Sequence, residues 1–404
     1  MGENIRRQVR KRRMFYIPGY DPIHPRRYRE LYRKEGAEQA SISGYNLTLA
    51  AKPPKAEVYG WKVYSNIEDE KVDVDVEVLF WSDIVRSSMK QSIYSAYMQL
   101  ARTAYIYIGS GSMGRLMQLR KGPMIAALYP LFFLFSTLLI ALLAALTIGY
   151  TISLVLPWWA GIAGVSVVPV ILSWVRKNDN RFYAYYLLHD YAYQAAANGA
   201  YHPELEVRLN KFANRISEAL QEDVDEVLVV GHSCGVHLAI TILSDLIRDG
   251  SVCVGGPELA FLSLGQVVPM VSFLPEAYRL RSDLLFLSTR EEVTWIDVTA
   301  PGDGCAFSLC DPVSVSVPSP KGKRWPLVLS AAFSKTLSPE RWRALRWRFF
   351  RLHFQYMCAF DKPGDYDYFK ITAGPKTLAD RFHQRQPSNS RIEKMVNKFT
   401  KLSP

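Results

Sequence analysis

The chain carries two hydrophobic periodicities and one long run that has neither. Val72, Val74, Val76 and Val78 alternate with Asp73, Asp75 and Glu77, which predicts a strand over Val72–Trp81 with one solvated acidic face. Met14–Ile17 is a short apolar strand that runs into the turn-rich Pro18-Gly19-Tyr20-Asp21-Pro22. Asp225–Val230, Leu259–Leu264 and Thr294–Val298 read as further strands. Helical patterns cover Ile84 to about Tyr107, roughly 180–198, 203–221 and Cys234–Arg248. Ser338, Pro339 and Glu340 place an N-cap, a first-turn proline and a first-turn acid in order, predicting a helix that continues to about Met357. Residues 38–57 read as loop, and the polar tail from Gln384 as frayed. Strands alternating with helices imply an α/β sheet.

The run without periodicity extends from Gly122 to Val175 and contains no Asp, Glu, Lys, Arg or His. One bilayer crossing takes about 20 apolar residues, so the run accommodates two crossings and a turn. The spans fall near Met124–Thr147 and Ile152–Val175, with the turn at Gly149-Tyr150 and Trp158-Trp159 beyond it. Small residues at Ala141/Ala145 and Ala160/Gly164 suit close helix contact, and Pro157 and Pro169 are expected to kink the second span. Soluble helices keep a polar stripe, which this run lacks. Arg115, Arg120 and Lys121 precede it and Arg176, Lys177 and Arg181 follow, so the positive-inside rule puts both flanks, and both termini, on the cytoplasmic side.

Charge and cysteine content extend this picture. Lys and Arg number 49 against 38 Asp and Glu, a net +11. Arg6, Arg7, Arg10, Lys11, Arg12 and Arg13 form a basic arm suited to anionic headgroups, at about 1 kcal/mol per residue near a membrane surface. No other feature supports a nucleic-acid partner. No apolar h-region follows the charges of the arm, so it is not a cleavable secretory signal. Cys234, Cys253, Cys305, Cys310 and Cys358 have no zinc spacing and read as thiols of a reducing compartment. The organisation expected is an arm (1–13), a first globular part (14–121), a transmembrane hairpin (122–175), a second globular part (176–383) and a tail (384–404).

The chemistry-bearing motif is Val227-Leu228-Val229-Val230-Gly231-His232-Ser233-Cys234-Gly235, a strand followed by G-x-S-x-G and an apolar helix. A sharp strand-to-helix turn raises the serine above the sheet edge, and glycines at 231 and 235 let neighbouring backbone approach. The helix N-terminus favours charge developing at Ser233. On these residues the chain resembles the α/β-hydrolase superfamily, more loosely its lipase-like branch, and within it bacterial membrane-anchored hydrolases of undefined substrate. The likeness covers most of residues 14–383 outside the hairpin. It implies an acid and then a histidine later in the chain than the serine.

Asp303, in the turn after Trp295–Val298, is the leading acid. Asp311, in Cys310-Asp311-Pro312-Val313, competes with it, and Asp297 within the strand reads as structural. Among the histidines, His232 and His237 are local to the elbow and His24, His189 and His202 precede the serine, leaving His353 ahead of His383. His353 shares a helical face with Trp342, Leu345 and Phe349, so a core role competes with general base. The resemblance also implies an oxyanion hole from two backbone N–H groups, which by position are Cys234 and Tyr20, with Pro18-Gly19 where similar proteins use His-Gly. Asp361, Asp365 and Asp367 lack EF-hand spacing and read as a solvated loop. The arginines 341, 343, 346, 348 and 351, interleaved with Trp342 and Trp347, suit either a membrane interface or a plain surface.

These readings together predict a membrane-anchored serine hydrolase acting on an ester or thioester, with a lipid or acyl substrate suggested by the anchoring. No metal or organic cofactor is required. Two alternatives share the same residues: a non-catalytic platform at the membrane, and an acyltransferase in which an alcohol replaces water.

Overall fold

The computed structural model describes residues 8–52, 58–253 and 255–404. Eight strands form one sheet: β1 (Lys11–Ile17), β2 (Asn46–Ala51), β3 (Gly60–Ile67), β4 (Glu70–Val78), β5 (Glu226–His232), β6 (Glu258–Leu264), β7 (Val293–Thr299) and β8 (Leu327–Ser330). Their order is β2-β3-β4-β1-β5-β6-β7-β8. From β4 to β8 all neighbours are parallel, and β2, β3 and β4 are joined antiparallel.

Both faces of the sheet are covered, and the strand pleat sorts side chains between them. Phe15, Ile17, Val227 and Val229 join the core beneath helices Pro203–Ala219, Gly235–Arg248 and Tyr278–Leu287. Their neighbours Met14, Tyr16, Leu228 and Val230 face the opposite core, with Tyr28 and Tyr32 of helix Arg26–Ser43 and Phe369 of helix Tyr368–Ala373. This alternation in β1 and β5 makes the region read as a continuous apolar run.

Several local expectations change. The helix Arg26–Ser43 and strand β2 occupy much of the segment expected to be loop, while residues 53–57 lie outside the described ones. The acidic stripe of β4 is solvated only in part: Asp73 is exposed, Asp75 pairs with Arg13 and Lys52, and Glu77 is buried against Arg13 and Arg215. Nor is the arm free for headgroups over its last residues. Arg12 is buried, with Nε 2.5 Å from Glu226, and donates to the carbonyls of Thr372, Gly374 and Lys376. Lys11 pairs with Asp223. These cations are bound where β1 crosses the sheet, and Arg6 and Arg7 lie outside the described residues.

The tail after Gln384 is strapped to the body. Ile392 exchanges backbone hydrogen bonds with Leu309 and Asp311 at 2.7 and 2.9 Å, and Asn397 Nδ2 donates to the carbonyls of Ser272 and Ser316. The predicted helix after Ser338 is broken into Pro339–Leu345, Phe349–His353 and a 3-10 turn at Gln355–Met357. Helix 84–107 likewise divides into Ser82–Ser88 and Ile93–Gly109.

Within the apolar run, a helix of 33 residues, Lys121–Ser153, is followed by a 3-10 segment Trp158–Ser166 and helix Val167–Lys177. Both Lys121–Ser153 and Trp158–Lys177 are long and apolar enough to cross a membrane. The turn lies at 154–157, later than Gly149-Tyr150, because Gly149 is needed inside the first helix. A Cβ on Gly149 would stand 2.6 Å from the Gly161 carbonyl, and one on Gly164 would stand 2.4 Å from that of Ala145. The two arms touch backbone to backbone along Ala145, Gly149, Gly161 and Gly164. Pro157 sits in the turn and Pro169 in the first turn of its helix, so neither interrupts the ladder. At its foot the first helix packs into the body, where Tyr97 Oη donates to the Leu134 carbonyl at 3.0 Å.

Candidate functional site

Strand β5 delivers Ser233 at its C-terminal end, and Ser233 takes a left-handed conformation with φ 56°. A side chain with a Cβ is strained in this region, so the turn must be held by its surroundings. The glycines on either side allow that. A Cβ at Gly235 would lie 2.1 Å from the Ile17 carbonyl, and one at Gly231 would lie 3.0 Å from the Gly235 carbonyl. Helix Gly235–Arg248 then starts directly after Cys234, with its N-terminus at the serine.

Parallel pairing of β1 with β5 sets Ile17 beside Gly231, so Pro18-Gly19-Tyr20 passes over the turn. A Cβ on Gly19 would be 3.0 Å from Ser233 Cβ and 3.4 Å from its Oγ. The Tyr20 amide faces the Cys234 side chain. Tyr20 and Cys234 thus flank Ser233 from two different strand ends.

Strand β7 ends at Thr299, and the following turn buries Asp303. One oxygen, Oδ1, accepts from the Cys305 amide at 2.9 Å. The other, Oδ2, lies 2.7 Å from His353 Nδ1 and accepts from Tyr356 Oη at 3.0 Å. Burial pushes the Asp303 carboxyl up, but His353 and these donors outweigh it and hold the pKa below the ordinary value. His353 ends the short helix Phe349–His353, close to a loop position. Its carbonyl accepts from His232 Nε2 at 2.9 Å, whose own pKa is lowered to about 3 by burial and then by His353. His353 Nε2 is buried and has no hydrogen-bond partner among the described residues.

Ser233, Cys234, Tyr20, Gly19 and His353 line one cavity of about 70 Å³. Of the sequence-predicted residues, Ser233, His353, Tyr20 and Cys234 therefore share this cavity, and Asp303 joins them through its bond to His353. Asp311 is placed elsewhere: it caps Val313 and Ser314 through their amides and pairs with Lys323. Asp297 accepts from Ser263 Oγ at 2.6 Å, and burial, relieved by that bond, pushes its pKa up to about 8. His383 is exposed beyond helix Leu378–Phe382. Asp361, Asp365 and Asp367 are occupied by Ser338 and Arg341, by Arg385, and by capping a helix.

Asp303, Cys305 and His353 have ligand atoms within 4.8 Å of one another, the spacing of a metal cluster. At 2.7 Å, however, the His353 and Asp303 atoms are at hydrogen-bonding distance and share a proton rather than an ion.

One residue of this cavity escaped the sequence reading. Asp190, on helix Ala184–Ala195, lines it next to the strand-to-helix turn, with Oδ1 3.5 Å from Cys234 Sγ. The signal was present: Asp190 is the sole acid between Asn180 and His202, in a helix rich in tyrosine. Comparison of the chain with protein families, with curated proteins and with solved structures returns no match.

Proposed function

We propose that the chain is a membrane-anchored serine hydrolase of the α/β-hydrolase type, cleaving an ester or thioester through an acyl-enzyme. The observation that carries this reading is the Asp303–His353 pair: His353, its Nε2 buried and without a hydrogen-bond partner among the described residues, lines the same cavity as Ser233 on its strained turn. Ser233, Asp303 and His353 also follow one another in the order the superfamily uses.

In this mechanism His353 Nε2 takes the proton of Ser233 Oγ as the oxygen attacks the carbonyl carbon. Asp303 accepts from Nδ1–H, which fixes the tautomer that leaves Nε2 basic and stabilises the imidazolium that forms. The backbone N–H groups of Cys234 and Tyr20 receive the oxyanion, supported by the N-terminus of helix Gly235–Arg248. His353 returns the proton to the leaving alcohol or thiol. Water then enters through the same base and releases the acid.

The apolar run would anchor this site. Helix Ala184–Ala195, which roofs the cavity, follows the hairpin closely, and Pro123 at the foot of the first long helix lines the same cavity. Basic residues on both flanks favour a cytoplasmic body. A site at the membrane surface meets interfacial esters at high local concentration, which supports a lipid or acyl substrate.

The test is labelling of detergent-solubilised protein by a fluorophosphonate. Wild type should label, Ser233→Ala should not, and Asp303→Ala and His353→Ala should label far more slowly. A folded wild type that stays unlabelled would overturn the reading.

A further inference from the structure

Two carboxylates line the cavity, and they are treated differently by the fold. Asp21 is fully engaged: its oxygens accept from Arg27 Nη1 at 3.1 Å, Tyr28 Oη at 2.6 Å and the Ile23 amide at 2.9 Å. Asp190 has no such partners. Among the described residues its hydrogen-bonding neighbours are Gln194 Nε2 and Cys234 Sγ, both at the long distance of 3.5 Å. Removing a carboxylate from water without a cation is costly, and here burial pushes the pKa up to about 6, opposed only by Gln194, Cys234 and His353. An apolar or amide side chain would fill the same place without that cost. The half-buried acid thus lines the cavity close to the nucleophile, held by the protein only through these two long contacts.

The remaining wall is aromatic. Tyr20, Tyr186, Tyr191 and Phe350 line the same cavity. Tyr186 Oη donates to the Tyr20 carbonyl at 2.5 Å and Tyr20 Oη pairs with Ser88 at 2.6 Å, so both hydroxyls are tied back into the body. The ring centroids of Tyr20 and Tyr186 are 6.3 Å apart and those of Tyr186 and Phe350 5.6 Å, forming a continuous surface. Aromatic faces attract cations most strongly where water is excluded. An anionic group would meet the Asp190 charge unfavourably, and a purely aliphatic group would leave that charge buried and unpaired.

We infer that the group this cavity accepts next to the scissile carbonyl is an ammonium, paired with Asp190 and packed against Tyr20, Tyr186, Tyr191 and Phe350. The inference rests on the serine-hydrolase reading and narrows it from esters in general to esters or thioesters of a cationic amine. Asp190 is a specificity residue in this scheme. The bond broken remains the acyl C–O or C–S bond of the carbonyl that Ser233 attacks, the amine-bearing alcohol or thiol leaves with the proton from His353, and no co-reactant besides water is involved.

The experiment compares acetylthiocholine with its uncharged isostere, 3,3-dimethylbutyl thioacetate, on the full-length protein in detergent, as wild type and Asp190→Asn. Fluorophosphonate labelling is followed in parallel, with and without tetramethylammonium. Wild type is expected to favour the cationic thioester in kcat/KM, and Asp190→Asn to lose about 10- to 100-fold of that preference, the range of a charge-assisted contact. Tetramethylammonium should slow labelling of wild type and not of Asp190→Asn. Equal rates on the two esters, a preference that survives Asp190→Asn, or labelling that tetramethylammonium leaves unchanged in wild type would overturn the inference while the hydrolase stands. Neither turnover nor labelling in folded wild type would overturn the hydrolase reading, and this inference with it.

Discussion

His353 Nδ1 lies 2.7 Å from Asp303 Oδ2, although the two residues are 50 positions apart and belong to different segments around the end of the sheet. Asp311, the competing acid, instead holds the amides of Val313 and Ser314 and the Lys323 ammonium. The two aspartates therefore separate experimentally. Asp303→Asn should slow fluorophosphonate labelling by about 10³- to 10⁴-fold, because the wrong imidazole tautomer faces Ser233. Asp311→Asn should leave labelling near wild type and lower the melting temperature, since it loses its cation and weakens a buried turn. Equal labelling by wild type and Asp303→Asn would remove Asp303 from the proposed site.

The glycines around Ser233 divide into two kinds. Gly235→Ala would drive a Cβ to 2.1 Å from the Ile17 carbonyl, a clash with backbone that neither β1 nor the following helix can relieve. It should cost about 3 kcal/mol or more and abolish expression of folded protein or lower the melting temperature steeply. Gly19→Ala would meet chiefly the Ser233 side chain, at 3.0 Å from its Cβ, with the His232 carbonyl at an easier 3.4 Å. That substitution should leave the melting temperature within a few degrees of wild type and slow labelling at least about 10-fold by crowding the attacking oxygen.

These glycines also mark the limit of what residue order conveys. The elbow was readable because its spacing is dictated by local sterics: Gly231 and Gly235 are where neighbouring backbone comes within reach of a Cβ. The central strands were readable from apolar runs at β5, β6 and β7. What stayed hidden depends on contacts far along the chain. Arg12 reads as part of a basic arm until Glu226 and three carbonyls near residue 374 surround it. Helix Arg26–Ser43 buries only a narrow stripe and its exposed charges mask its period. The tail reads as polar because its polar groups are used: Asn397 satisfies carbonyls of Ser272 and Ser316. Asp190 is one acid in a tyrosine-rich helix until that helix is laid across the elbow.

Asp190 makes the stability of the folded chain depend on pH. Its pKa is about 6 in the folded chain, pushed up chiefly by burial, against 3.8 ordinarily. Between these values the folded state binds the proton more tightly than the unfolded state, so Asp190 costs nothing below about pH 4. Its cost grows as the pH rises through 6 and is constant above. Asp190→Asn removes the titration while keeping the shape. Its melting temperature should match wild type near pH 4 and exceed it at pH 8, by the equivalent of about 1–3 kcal/mol. A difference independent of pH would show that the carboxylate is not strained by its surroundings.

The first arm of the hairpin is longer than one bilayer crossing requires, and the body accounts for the excess. Helix Lys121–Ser153 has 33 residues and is therefore about 50 Å long, more than the roughly 30 Å of a hydrocarbon core. Its lower part is claimed by the body: Met124 and Leu134 are buried, and the Leu134 carbonyl accepts from Tyr97. From Leu134 upward about 20 residues remain, the length of one crossing. Trp158 and Trp159, 81% and 61% exposed, then stand at the far end, where indole rings favour the interface. Cys253 is exposed on the body and serves as a natural marker of its side. With Trp159→Cys added, a membrane-impermeant maleimide should modify position 159 in intact spheroplasts of a bacterial host and leave Cys253 untouched. Inverted vesicles should give the reverse. Modification of both cysteines from the same side would mean that the hairpin lies along the protein or the membrane surface, and the proposed anchoring would fall.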